Sequence, residues 1–126
     1  MKIEVLYFDD CPNHQPAVER VREVLREEGI PEEVSEVNVP NDAAARTLGF
    51  LGSPSIRIDG RDVEPDARSS QHCGMACRTY MEEGKRQGLP SRETIRTALR
   101  EAASAAPQRK WLMGLRWRRP SAPLST

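Results

Sequence analysis

Large apolar side chains are in short supply. Two Trp, two Tyr and two Phe are all the aromatic residues in a chain of 126, and hydrophobic residues of every kind reach only 37%. A core built from so little must be concentrated in a few elements, and the length suits one domain with a modest interior. No apolar run approaches the ~20 residues of a bilayer-spanning helix, so no membrane span is expected. Cysteine is scarce as well: three residues, an odd count too small for a disulfide-stapled secreted module. Met1-Lys2-Ile3-Glu4 leads straight into a strand-like run, which predicts no signal peptide and a cytoplasmic location. Net charge is absent overall, because 19 basic and 19 acidic side chains cancel. The balance is uneven along the chain, however. Residues 107–126 hold five bases (Arg109, Lys110, Arg116, Arg118, Arg119) and no acid, which leaves residues 1–106 at a net of −5. An acidic folded part argues against nucleic-acid binding.

What is present falls into a clear order. Ile3 to Phe8 is a short run apolar on both faces, as suits the central strand of a sheet covered on both sides. Ala17, Val18, Val21, Val24 and Leu25 recur at helical spacing within a helical run over Pro16 to Glu28, with Gly29 as its stop. Val34, Val37 and Val39 mark a second strand, and Asn41 or Asp42 can cap a short helix that closes at Gly49. Asp59-Gly60, between two strand-like runs, predicts a hairpin with Ile56 and Ile58 on one face. Residues 66–90 show no period. Ser91 can cap a last helix with Ile95, Ala98, Leu99 and Ala102 as its stripe, and the basic, proline-containing segment 107–126 reads as a disordered tail. A strand–helix–strand unit followed by a helix, a hairpin and a helix predicts an α/β domain over 1–106.

The chemistry centres on Phe8-Asp9-Asp10-Cys11-Pro12-Asn13-His14, a loop joining the first strand to the first helix. A cysteine just ahead of a helix sits near unpaired N–H groups and a partial positive charge, which favour the reactive thiolate. Pro12 fits an early helical position. His14 is placed either to stabilise the thiolate as a cation or to take its proton. Asp9 and Asp10 would oppose thiolate formation if aimed at the sulfur, or one of them could relay protons from a buried position. Further along, Gln71-His72-Cys73-Gly74-Met75-Ala76-Cys77 adds two thiols that would share one face if the segment were helical. Cys11, Cys73 and Cys77, with His14 and His72, are also enough for a soft-metal site binding Hg²⁺ or Cu⁺, although their spacings are not those of common zinc sites. No cofactor is expected.

In element order, with Cys11-Pro12 after the first strand and Ser53-Pro54 just before the third, the chain resembles the thioredoxin and glutaredoxin fold. The segments Tyr7–Asn13, Phe50–Pro54 and Gly74–Arg78 are similar to those of small bacterial thioredoxin-like proteins, some of which carry an alkylmercury-lyase label. The resemblance implies a β-α-β-α-β-β-α domain around a central mixed four-stranded sheet, with residues 66–90 as a cysteine-containing insertion. It also implies a cis Ser53–Pro54 bond beside Cys11, with the Ser53 backbone offered to an extended peptide or thiol ligand as an added strand.

The chain departs from the thioredoxin pattern where the second cysteine of the motif would stand, because that position is His14. Three readings follow. Cys11 acts as the nucleophile of a thiol–disulfide oxidoreductase and a distant cysteine resolves the mixed disulfide, with Cys77 favoured over Cys73 because it lies in the matching segment. Or the thiols bind a soft metal or an organomercurial without turnover. Or the domain is a redox-inactive interaction module. For the first reading the expected partner is a protein disulfide or a small neutral one, since Asp9 and Asp10 disfavour acidic glutathione.

Overall fold

The computed structural model of the chain describes the backbone of residues 1–114 and the side chains of residues 1–104. Its elements run β1 (Ile3–Tyr7), α1 (His14–Glu27), β2 (Val34–Asn38), α2 (Asp42–Leu48), β3 (Ser55–Ile58), β4 (Arg61–Asp62), β5 (Tyr80–Glu82), β6 (Lys85–Gln87) and α3 (Arg92–Gly114). The central sheet has the order β2-β1-β3-β4. β1 pairs in parallel with β2, Val5 standing opposite Glu36, and antiparallel with β3, Val5 standing opposite Ile56. This is the thioredoxin-like α/β arrangement expected from the sequence, with β1 in the middle.

Alternation along β1 divides the core. Ile3 and Val5 face one side of the sheet and pack with Ile56 and Ile58 against the stripes of α1 and α3. Leu6 faces the other side and joins Val39, Ala45 and Phe50 under α2. All five stripe residues predicted for α1 are buried. The caps are local and explicable: Asn41 accepts from the Ala44 N–H at 2.8 Å, and Ser91 Oγ accepts from the Thr94 N–H at 3.1 Å. Along the outside, Glu23 and Glu27 of α1 and Glu28 at its C-terminal cap pair with Arg92, Arg96 and Arg100 of α3.

Three differences from expectation matter. The helix α1 begins at His14, so Pro12 lies in the turn before it rather than in its first turn. The insertion is not featureless, since it contains the β5–β6 hairpin. The backbone of α3 continues to Gly114, past the boundary expected at residue 106 and through Pro107, which supplies no N–H to the helical ladder. Residues 115–126, and the side chains of the basic tail, lie outside the described residues. Among the described residues no helix is long and apolar enough to cross a membrane.

Candidate functional site

Cys11 sits in the turn between β1 and α1, half-buried, with its N–H directed to Phe8 O at 3.4 Å and its carbonyl accepting from the His14 N–H at 3.2 Å. The donors of the first helical turn are therefore mostly engaged. His14 gives its N–H to Cys11 O, Pro16 has none to give, and Ala17 gives its own to Asn13 O. Asp10 adopts φ +67, a left-handed conformation that aspartate tolerates better than most residues. Neither acid is buried, so neither fits the buried proton relay considered from the sequence. Asp9 instead accepts from Asn38 Nδ2 at 2.9 Å, which ties the loop to β2.

His14 is also committed elsewhere. Its ring stacks on Tyr7 with centroids 3.6 Å apart, and Nε2 lies 2.6 Å from Glu36 Oε1. No hydrogen bond among the described residues joins the His14 side chain to Cys11. His14, three residues after Cys11, thus fastens the helix start to β1 and β2.

The Ser53–Pro54 bond is cis, as expected, and Ser53 is buried. Its hydroxyl accepts from the Phe8 N–H at 3.3 Å, which links the proline turn to the strand end that leads into Cys11. The Ser53 backbone, expected to be open to a ligand, is taken up by the chain itself. Its N–H donates to Ala76 O at 2.9 Å and its carbonyl accepts from the Arg78 N–H at 3.0 Å. That pattern is a parallel pairing of Ser53 with Cys77. A third bond, Gly74 N–H to Phe50 O at 3.1 Å, extends the contact. Residues 74–78 thus form a strap, bent at Met75 and Ala76, beside the proline turn rather than a helix, and Cys73 and Cys77 do not share a helical face. Gly52 permits the close approach: with φ +118, a Cβ there would meet Arg78 Cβ at 2.9 Å and Ala76 O at 3.0 Å.

Arg78 anchors the strap. Its guanidinium holds Asp62 through bonds of 2.6 and 2.8 Å, Glu64 at 3.0 Å and Ser55 Oγ at 3.2 Å, and it lies 4.4 Å over the Tyr80 ring. Burial by itself disfavours the charged form, but the hydrogen bonds and charges around it outweigh that and hold the guanidinium more firmly protonated than usual. Tyr80 is fully buried and donates its hydroxyl to Pro54 O at 2.7 Å. Burial pushes its phenol above the ordinary range. Asp62, Glu64 and Tyr80 carry no signal in the sequence, and Arg78 stands in the Gly74–Arg78 segment without a role until Asp62 of β4 and Glu64 just beyond it supply the acids.

All three cysteines are free thiols, Cys73 half-buried and Cys77 exposed. His72 is exposed, and its backbone N–H reaches Ser70 Oγ at 3.4 Å. Among the described residues no group of three or more His, Cys, Asp or Glu side chains is arranged to hold a metal ion, so Cys11, Cys73 and Cys77 are not gathered into the three-thiol ligand set considered from the sequence. A cleft of about 530 Å³ opens between α1 and the β5–β6 hairpin, lined by Arg20, Glu82, Lys85 and Ser91 among others and by no thiol.

The family model for a domain of unknown function (DUF2703) matches residues 13–99. The matched stretch includes Ser53, Pro54, Cys73, Cys77 and the Asp62–Arg78 pair, and begins just after Cys11 and Pro12. No curated protein and no solved structure matches the chain.

Proposed function

The chain belongs to the DUF2703 family, and we propose that it carries out thiol–disulfide exchange, with Cys11 as nucleophile and Cys77 as resolving thiol. One observation carries this reading: the pairing that sets Cys77 opposite Ser53, whose hydroxyl holds the strand end leading into Cys11. Residues directly opposite each other in a ladder carry their side chains on the same face.

Cys11 as thiolate attacks one sulfur of an external disulfide. A Cys11 mixed disulfide forms, the original S–S bond breaks, and the other half leaves as a thiolate that takes a proton from water. Cys77, having lost its proton to solvent, then attacks Cys11 Sγ. The bound half is released as a second thiol, and a Cys11–Cys77 disulfide remains. Two equivalents of an external thiol reduce that disulfide and complete the cycle. In this scheme Asn38 draws the Asp9 carboxylate toward β2, and His14 fixes the helix start rather than exchanging protons with the sulfur.

The test is peptide mapping after mild oxidation, together with exchange assays on single variants. A Cys11–Cys77 linked peptide and loss of exchange in Cys11→Ser are expected. Undiminished exchange in Cys11→Ser would overturn the reading.

A further inference from the structure

An extended polypeptide docks most readily by adding a strand to exposed backbone. The backbone joined to the Cys11 loop is that of Ser53, and both of its polar groups are already bonded within the chain, to Ala76 and Arg78. The occupant is built in. Gly52 leaves no room for a side chain between it and the proline turn, and the buried Arg78–Asp62 pair fastens its end. A peptide that paired with the outer edge of the strap would lie one more strand spacing, about 4.8 Å, from Ser53.

A shallow hollow of about 280 Å³ opens beside the loop, lined by Phe8, Asp9, Val39, Pro40 and Met75. Four of these side chains are apolar and the fifth is an acid, so the lining has no base to receive a carboxylate. Asp10, exposed at the same loop, adds to the negative charge.

We infer that the site accepts small, uncharged disulfides and excludes extended polypeptides, because residues 74–78 occupy the backbone edge a peptide would use. This inference rests on the thiol–disulfide reading above and specifies its substrate class. It also makes the strap serve twice, as the carrier of the resolving thiol and as the barrier that selects what reaches Cys11.

The test reads the first step alone, in protein carrying Cys73→Ser and Cys77→Ser so that Cys11 is the one thiol left. Rates of mixed-disulfide formation are followed by intact mass with three probes: bis(2-hydroxyethyl) disulfide, glutathione disulfide, and the disulfide-linked dimer of a neutral, unstructured decapeptide. Each rate is divided by that of the same probe with free 2-mercaptoethanol, which removes intrinsic reactivity. The two larger probes are expected to react about tenfold more slowly or worse, the scale set by losing two backbone hydrogen bonds or meeting an unpaired charge. Gly52→Ala and, separately, Arg78→Met loosen the strap and are expected to narrow the peptide gap several-fold, leaving the glutathione gap in place. A peptide dimer that reacts as fast as the hydroxyethyl probe in the parent protein overturns the inference. So does an unchanged peptide gap in either variant that circular dichroism finds folded. If neither variant folds, the parent comparison decides. A Cys11 inert to all three probes removes the thiol–disulfide reading itself and the substrate class with it.

Discussion

Arg78 and Asp62 meet through two hydrogen bonds, 2.6 and 2.8 Å long, with both side chains almost wholly removed from solvent. This pair fastens the segment that follows Cys77 to β4, and so fixes the register in which Cys77 faces Ser53. A charge buried in this way depends on its partner. Without Arg78 the Asp62 carboxylate is buried and has lost the guanidinium that pairs it, and without Asp62 the guanidinium keeps only the partly exposed Glu64.

Arg78→Met and Asp62→Asn are therefore each expected to lower unfolding free energy by about 3 kcal/mol, while the double variant loses less than the two losses combined. Urea unfolding with slopes compared across the four proteins checks this. Losses well under 1 kcal/mol in both single variants would mean that the pair adds no stability.

Tyr80 gives an alkaline signature. Its phenol is buried and held above its ordinary range, so the folded state keeps the proton that the unfolded chain gives up near pH 10. The stability this supplies is complete below pH 10 and is lost as pH rises further, at about 1.4 kcal/mol per pH unit. Tyr80→Phe removes the hydrogen bond to Pro54 O, at about 1 kcal/mol near neutral pH, and should flatten the decline above pH 10. Parallel declines in the two proteins would contradict this assignment.

Most of the fold is legible in the sequence, because the information is local. The stripe Ala17–Leu25 has helical period, Asp59-Gly60 is a turn, and a strand apolar on both faces needs two layers. The Glu83-Gly84 turn is of the same kind, with Glu83 at φ +54 and Gly84 at φ +79. It escapes notice because β5 and β6 are three residues each and β6 is wholly exposed, which leaves no alternation to read. At the site, Cys11 is legible for similar reasons, whereas the cis Ser53–Pro54 bond is expected only from the resemblance to the thioredoxin fold. The strap is not legible, because its position comes from the pairing of Ser53 with Cys77 and from one buried arginine meeting Asp62 of β4 and Glu64 beyond it. Neither relation leaves a trace in nearby residues. Cys73 and Cys77 would share one face only on a helix, and bonds to Ser53 and Phe50 hold the segment out of one.

The acid side of the stability profile belongs to the α1–α3 seam and its neighbour. Hydrogen bonding from Arg100 lowers the Glu28 carboxyl below its usual value, and hydrogen bonding from Arg68 does the same for Glu101. A depressed carboxyl contributes stability above its unfolded pKa, about 4.3, that is lost as pH falls through the lower folded value. Glu28→Gln should thus flatten the fall in melting temperature below pH 4.5. Because Arg100, the main partner of Glu28, is exposed, the difference between the two proteins should shrink in 1 M salt. A difference that survives salt would point to packing rather than charge.

Cys77 and Cys73 make opposite predictions, and the register of the strap is the reason. Cys77 stands across from Ser53, the residue that holds the strand end before Cys11. Cys73 comes before Gly74, whose bond is to Phe50, at the far end of the contact. A disulfide forms only when the two Cα atoms come within about 7 Å, and the pairing with Ser53 is the reason to expect Cys77 to meet that condition. In Cys77→Ser the mixed disulfide on Cys11 should accumulate, and turnover should fall at least about tenfold as external thiol takes over resolution. Cys73→Ser should clear its adduct at the parental rate. Acid quenching, alkylation and intact mass at timed intervals distinguish the two. An adduct that persists in Cys73→Ser and clears in Cys77→Ser would transfer the resolving role to Cys73. The strap would then have to leave Ser53 during each cycle, and slowed clearance in a disulfide-tethered strap would reveal it.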